Sequence, residues 1–493
     1  MESCVKVNGL YSQNFKVQQS VRQGGVLSPF LYLVYIDDLI KQLRASGIGA
    51  RVDDVYCGTL VQADDVAILA LTPNDLQKMM AICQAYSTTW RYKLNALKTH
   101  VMIFGESSQA YNRLTTQRQW KLARSTVQEV RVVKHLGVLL QPDLGLKEIT
   151  GNASKKGRNS FFGSFSTGAT GSTLSPLTYS TVYRQVVLPA ALYGSELWTS
   201  LTSTQMLTLE RMQNLCIKVI QGLGKRTRTD MCRSLLGLPR VEAFVMKSAL
   251  LFLQRLCTLD EDELSKQIFL RRMYQLKLQD IRSPRVTRGI CGFLSELLNV
   301  HGLSAHLDLF LQTGQFINKM SWKRLVTNQL VTREYSLYET RVQNDPDFVN
   351  FVLIHPDCFV PGIAWQVARH IPHSHRVMRF VVSLTTTAPT GTRILCEYCG
   401  RLAEDVLIHH CSECSASEVE REHMWDFINN YCDVQFAAYL HNIEDRTFVH
   451  TLLGAPLERQ DEEDTLIETD CHMLFFIELH AFYTASMTDC LLH

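Results

Sequence analysis

Hydrophobic positions along the first part of the chain switch between two periods. Residues 1–23 place short apolar-alternating runs on both sides of Asn8-Gly9, a turn dipeptide, and predict a β-hairpin. Ser28-Pro29 pairs an N-cap residue with a first-turn proline. Leu33, Ile36, Leu39, Ile40 and Leu43 then recur at helical spacing until Gly47. The stretch 56–70 (YCGTLVQADDVAILA) predicts a second hairpin, with Asp64-Asp65 at its turn. Thr72-Pro73 opens another helix that carries Leu76, Met79, Met80, Cys83 and Tyr86 on one face. Further on, Asn95 and Lys98 precede a short strand, and KHLGVLLQP (134–142) is an apolar strand pair around Gly137. Strand, helix, hairpin, helix is an α+β pattern.

After Gly151 the pattern becomes helical. Leu209, Met212, Cys216, Val219 and Leu223 mark one amphipathic helix, closed near Gly222-Gly224. The links GKRTRTD (224–230) and RSPRVTR (282–288) are basic. A cysteine cluster occupies 396–414, and an acidic run, DEED, occupies 461–464. A length of 493 residues suggests about three domains. No internal repeat or low-complexity tract is visible.

Charge adds something the apolar pattern does not show. The net charge is +2, but residues 1–90 carry -1, residues 91–400 carry +18 and residues 401–493 carry -15. A long basic region followed by an acidic one points to a polyanionic partner. With 46% hydrophobic and 20% charged residues, a largely disordered chain is excluded. Residues 1–10 have no apolar core, and no run reaches the roughly 18 apolar residues of a membrane helix. These features predict a protein that is neither secreted nor membrane-spanning, with a nuclear or cytoplasmic, intracellular setting. Fifteen cysteines in a reducing compartment favour metal binding over disulfides where they cluster.

Asp64-Asp65 is the strongest single chemical feature. Two carboxylates held close repel each other, and a divalent cation relieves that repulsion. Mg2+ held by one or two carboxylates plus substrate phosphates is a usual arrangement for phosphoryl chemistry. On the dipeptide alone, a polar hairpin tip explains the residues as well. The preceding RQGGVLSP (22–29) changes that weighting. Its two glycines before a helix let backbone approach a ligand closely and expose free N–H groups.

The ordered set RQGGVLSP, LVYIDDLI (33–40), ADD (63–65), N-x-x-K (95–98) and HLGV (135–138) resembles the palm of reverse transcriptases from non-LTR (LINE-type) retrotransposons. LPAALYGSELW (188–198) is similar to the start of the thumb in that family. The resemblance runs to about residue 260 and resumes at the cysteine cluster. It implies a partial polymerase palm (an antiparallel sheet with helices) over 1–150 and a helical thumb over 151–260. A helical C-terminal region over 261–390 and a zinc-knuckle and acidic tail region over 391–493 would follow. The activity it implies is RNA-directed DNA polymerisation, with RNA template, DNA primer and deoxynucleoside triphosphates as partners.

At matching positions the resemblance gives Asp64 and Asp65 the role of Mg2+ (or Mn2+) ligands. Two ions would activate the primer hydroxyl and stabilise the leaving pyrophosphate. Lys98 would act beside the triphosphate. Gln23, Gly24, Gly25, Gln62 and Asn95 would contact nucleotide or template, and His135, Leu136 and Gly137 would grip the primer. Gln62 and Ser20 depart from the family, which usually has an aromatic and a glycine there. The family's first motif, which supplies another catalytic aspartate, has no counterpart before RQGG, and Asp37 and Asp38 read as a solvated helix face. The expectation is therefore an N-terminally truncated polymerase, inactive or weak by itself. Alternatives are a non-catalytic nucleic-acid-binding remnant and a helical protein-interaction module.

The segment 396–414, CEYCGRLAEDVLIHHCSEC, offers Cys396, Cys399, His409 and Cys414 as a Zn2+ set, with Cys411 in place of His409 as the alternative. The resemblance, with its C-x2-C…H-x4-C knuckle, favours His409. Arg113, Arg118, Trp120, Lys121, Arg124, Lys155, Lys156, Arg158, Lys225, Arg226 and Arg228 are candidates for a nucleic-acid channel.

Overall fold

The computed structural model describes residues 2–16, 25–115, 118–142, 146–166, 174–225, 227–278, 289–370, 394–396, 399–404, 408–431, 434–453 and 455, with isolated positions between 375 and 386. Gln23, Gly24, Ser20, Arg226, the basic link 282–288 and the acidic run 461–464 lie outside the described residues. The architecture is α+β: many helices with several small sheets. Two compact units form, one from residues 1–145 with 259–287, the other from 146–258 with 288–493.

The first unit begins with the expected hairpin. Lys6–Val7 pairs antiparallel with Leu10–Tyr11, and Asn8 and Gly9 at the turn both take positive φ (49° and 83°). Two left-handed residues match the twist of a tight hairpin. The next helix, Ser28–Ala45, starts one residue earlier than the N-cap expectation. Leu27 is the cap residue and makes no side-chain cap bond, and Ser28 is already helical. The reason is local: the Ser28 N–H donates to the Gly25 carbonyl at 3.1 Å, and this turn runs straight into the helix. At Pro73–Thr89 the sequence expectation is met, because the Thr72 hydroxyl accepts the Asp75 N–H at 3.1 Å.

These two helices share one core. Ile36, Leu39 and Leu43 meet Met79, Cys83 and Tyr86, with Val61 and Ile68 of the second hairpin packed against them. Met80 instead joins Val101, Trp120, Leu122 and Val127. The sheet that supplies those residues is not wholly antiparallel. Trp120–Leu122 pairs antiparallel with Ser125–Glu129, whereas Ser125–Glu129 pairs parallel with His100–Val101. A parallel pair needs a long connection, and the helix Ser108–Leu114 and strand Trp120–Leu122 provide it. The later helix Leu264–Leu278 belongs to this unit too. Its Arg271 forks onto the Asp54 carboxylate (2.8 Å and 2.8 Å), and Gln275 donates to Asp53 at 3.0 Å.

The second unit is helical around one large core. Lys147–Ser166 lies against Ser203–Gln221 through Gly157, where a Cβ would fall 2.9 Å from Met212 Sδ and 3.1 Å from Ala191 Cβ. Ser203–Gln221 carries a full capping box at Thr202 and Gln205, and closes on Gly222 with φ 65°. The stripe Leu209, Met212 and Cys216 is buried as its spacing predicts. Between Pro176 and Ala191 the helix widens to a π-turn over Tyr183–Val187. Pro189 has no N–H to return to the preceding turn, and a widened turn is one way a helix accommodates that loss. Trp365 Nε1 donates to Gln221 Oε1 at 2.7 Å, and Gln221 Nε2 donates to the Cys232 carbonyl at 2.8 Å. These bonds satisfy buried polar groups inside an apolar core. Among the described residues, no helix is long and apolar enough to cross a membrane.

Candidate active site and metal centre

The carboxylate hairpin is built on four-residue strands. Thr59–Gln62 pairs with Asp65–Ile68, in the register Gln62 to Asp65, so Ala63 and Asp64 form a two-residue loop. Asp64 therefore sits in the turn and Asp65 opens the returning strand. Both are exposed, as is Gln62. Ala63 takes φ 51°, a left-handed conformation that costs a non-glycine residue roughly 1–2 kcal/mol. Val61 and Ile68 anchor the hairpin stem in the core of the first unit. The result is an exposed acidic tip on a stem whose inner face packs against the core.

Tyr32, on the helix Ser28–Ala45, packs against the same core as Val61 and Ile68 of the hairpin. Burial raises its hydroxyl pKa first, and the charge of Asp64, then Tyr35, then Asp65 raises it further. The sequence reading missed Tyr32. Its signal was its place one helical turn before Ile36 on the buried stripe. Among the described residues, Asp64 and Asp65 gather no third His, Cys, Asp or Glu into a metal-binding group. Asp37 and Asp38 are half-exposed and pair with Lys41, consistent with a solvated face.

The N-x-x-K segment forms a tight turn. Asn95 Oδ1 accepts the N–H groups of Leu97 (3.1 Å) and Lys98 (3.3 Å), and the Asn95 carbonyl accepts from Thr99 Oγ1 at 2.9 Å. Asn95 thus has a local structural task, and Lys98 stands exposed beyond it. His135 ends the strand Val133–His135, which pairs with Val138–Leu140. Leu136 and Gly137 form the turn, both with positive φ (48° and 83°). Leu136 is 47% exposed, a large apolar side chain held at a hairpin tip. Gly25 is described and precedes the helix Ser28–Ala45.

Three of the candidate channel residues are engaged elsewhere. Arg118 forks onto Glu106 (2.9 Å and 2.8 Å) and also reaches Glu129 at 2.9 Å. Trp120 is 4% exposed and donates to Glu129 at 2.8 Å. Arg228 binds Asp230 and Asp345 at 3.0 Å and 2.6 Å. These side chains serve structure, and a phosphate would have to break their pairs. Lys121, Arg124, Lys155, Arg158 and Lys225 remain exposed.

The cysteine cluster belongs to the second unit. Ile394–Leu395 pairs antiparallel with Leu402–Ala403, and the two-cysteine segment is the connection between them. Gly400 makes the turn with φ 69°, and its N–H donates to the Cys396 carbonyl at 2.9 Å. A π-turn, His409–Glu413, then brings His409 and Cys414 to the same point. One ligand atom from each of Cys396, Cys399, His409 and Cys414 lies within 4.8 Å of all the others. Cys396 Sγ is 3.9 Å from Cys414 Sγ, and Cys399 Sγ is 3.1 Å from His409 Nε2. A tetrahedral ion with metal–sulfur bonds of about 2.3 Å needs sulfur–sulfur edges of about 3.8 Å. The donor set fits.

His409 turns its other nitrogen, Nδ1, to Glu413 Oε2 at 3.3 Å. A carboxylate behind a ligating imidazole fixes its orientation and raises its basicity. Glu413 was not singled out from sequence, although its i+4 spacing from His409 was the available signal. Cys411 stays out of the four-residue group and packs against the core of the second unit. The Arg401 N–H lowers the Cys399 thiol pKa, while burial and the Cys396 and Cys414 thiols raise it, and the net direction is up.

Residues 1–140 match the family described as reverse transcriptase (RNA-dependent DNA polymerase). The chain is also similar to the RNA-directed DNA polymerase from mobile element jockey of Drosophila melanogaster, 22% identical over 258 residues. That match covers 51% of this chain and 27% of the relative, so the chain spans about a quarter of that protein's length. The N-terminal segment that carries the ordered motifs is thus similar to reverse transcriptases, including one from a mobile element.

Proposed function

We propose that the chain contributes the carboxylate hairpin of an RNA-directed DNA polymerase that works by metal-assisted nucleotidyl transfer. The observation that carries this is the hairpin itself. Two adjacent carboxylates project from a strained Ala63 turn whose stem packs against the core through Val61 and Ile68. Strain is retained where the surroundings over-determine it, and such positions cluster at functional sites.

In the reaction, Asp64 and Asp65 would hold the divalent cation, which brings the charge that stabilises the transferring phosphoryl group. Exposed Lys98 would neutralise triphosphate oxygens from its Asn95-braced turn. The hairpin tip Leu136-Gly137 would press against the primer backbone, and Gly25, with Gln23 and Gly24, would contact the template side. Residues 1–150 would act as palm, 151–260 as thumb. Two carboxylates with no third beside them among the described residues make a weak ion site, so activity of this chain alone would be low. The cysteine cluster would hold Zn2+ through Cys396, Cys399, His409 and Cys414, as a structural knuckle. Substrates would be an RNA template, a DNA primer and deoxynucleoside triphosphates.

Mn2+ binding, read by electron paramagnetic resonance with a primer–template hybrid and a nucleotide present, tests the reading. The double variant Asp64→Asn/Asp65→Asn should lose one class of bound Mn2+. Identical binding isotherms for the two proteins would overturn it.

A further inference from the structure

A cavity of about 300 Å3 opens beside the His409–Glu413 turn, and none of the four clustered donor residues lines it. Cys411 and Ser412 of that turn do line it. Trp425, Leu440, Ile443 and Phe448 supply apolar walls, and Glu418, Glu422 and Asp445 supply three exposed carboxylates. The walls are rigid. Trp425 stacks on His441 at 4.1 Å and on Phe448 at 4.8 Å, both within 16° of parallel, and His441 is held by Asn429 at 3.0 Å. The one arginine in the lining, Arg421, donates to the Cys414 carbonyl at 2.5 Å. A volume of this size, mainly polar with an aromatic and aliphatic side, has room for a single large side chain.

Charge decides which one. Residues 408–455 hold eight acidic and two basic residues. A phosphate backbone would be repelled here, whereas a cation would be drawn in. An aromatic wall with carboxylates at its rim suits a guanidinium, which combines a weakly hydrated planar cation with five donors. We infer that this cavity docks an arginine side chain from a basic peptide segment of a protein partner. The cysteine-cluster module is then a protein-binding face, whereas nucleic acid falls to the basic residues earlier in the chain. This assignment is independent of the polymerase reading.

The test uses the full chain and a fluorescein-labelled Arg-Ser repeat peptide, with binding read by anisotropy. Glu418→Gln/Glu422→Gln should weaken binding about tenfold, whereas Asp426→Asn/Glu444→Gln, which removes equal charge outside the cavity, should change it less than about threefold. A peptide with citrulline for arginine keeps the shape and loses the charge, and it should fail to bind the unaltered chain. That arm does not depend on any variant folding. Equal weakening by the two double variants would overturn the proposal by showing general electrostatics only. Binding of the citrulline peptide would also overturn it. So would single-stranded RNA binding that is lost in Trp425→Ala while peptide binding persists.

Discussion

Replacing Glu413 by Gln should loosen metal at the cysteine cluster without removing a ligand. Glu413 pairs with His409, at 3.3 Å through Nδ1, while Nε2 faces Cys399. His409 is 3% exposed and so has no room to turn. Carboxylates behind a ligating imidazole are typically worth 10- to 100-fold in metal affinity. The Glu413 side chain is 58% exposed, and solvent screening places the effect at the low end, about tenfold or ~1.4 kcal/mol. Cys414→Ser removes a ligand and should cost at least about a thousandfold, because three donors no longer close the tetrahedron. Cys411→Ser should leave affinity within about twofold, since Cys411 is outside the group. The assay is anaerobic competition for Zn2+ against a chromophoric chelator near neutral pH. Wild-type affinity in Glu413→Gln, or a loss in Cys411→Ser matching that in Cys414→Ser, would refute the assigned ligand set.

Three further outcomes follow from the packing. Gly157→Val should destabilise the second unit by about 1–3 kcal/mol, since a Cβ already meets Met212 and Ala191, and thermal melts read it. Ala63→Gly should relieve the left-handed turn and stabilise the first unit by up to about 1 kcal/mol in urea; a loss of stability would mean the turn is not strained. Burial pushes the imidazoles of His301, His355 and His375 below their ordinary value of 6.5. The unfolded chain then binds protons that the folded chain refuses, so stability is intact above about pH 6.5 and falls on acidification through it. Urea midpoints across that range should drop, and His355→Gln should flatten the slope.

The sequence read well where a single physical signal dominated. The Thr72-Pro73 start, the stripe from Leu209 to Cys216 and the Gly222 stop follow from capping and periodicity, and the structure has all of them. The zinc-type spacing also located four side chains that converge, because a short hairpin and one turn suffice to bring them together. The parallel pairing of His100–Val101 was invisible, since strand direction depends on which neighbour is met in space. For the same reason Arg118, Trp120 and Arg228 read as solvent-facing basic and aromatic residues. Their partners Glu106, Glu129 and Asp345 lie 12, 9 and 117 residues away. Tyr32 and Glu413 went unnoticed because a supporting residue shows its task only once the group it supports is placed.

Primer extension on an RNA template, with Mg2+ and deoxynucleoside triphosphates, tests the role of the Asp64-Asp65 hairpin when wild type and Asp64→Asn are run side by side. Slow, short extension at most is expected of the wild-type chain, and Asp64→Asn should abolish whatever extension there is. Extension that survives the substitution, or full-length synthesis by the wild-type chain, would contradict this reading.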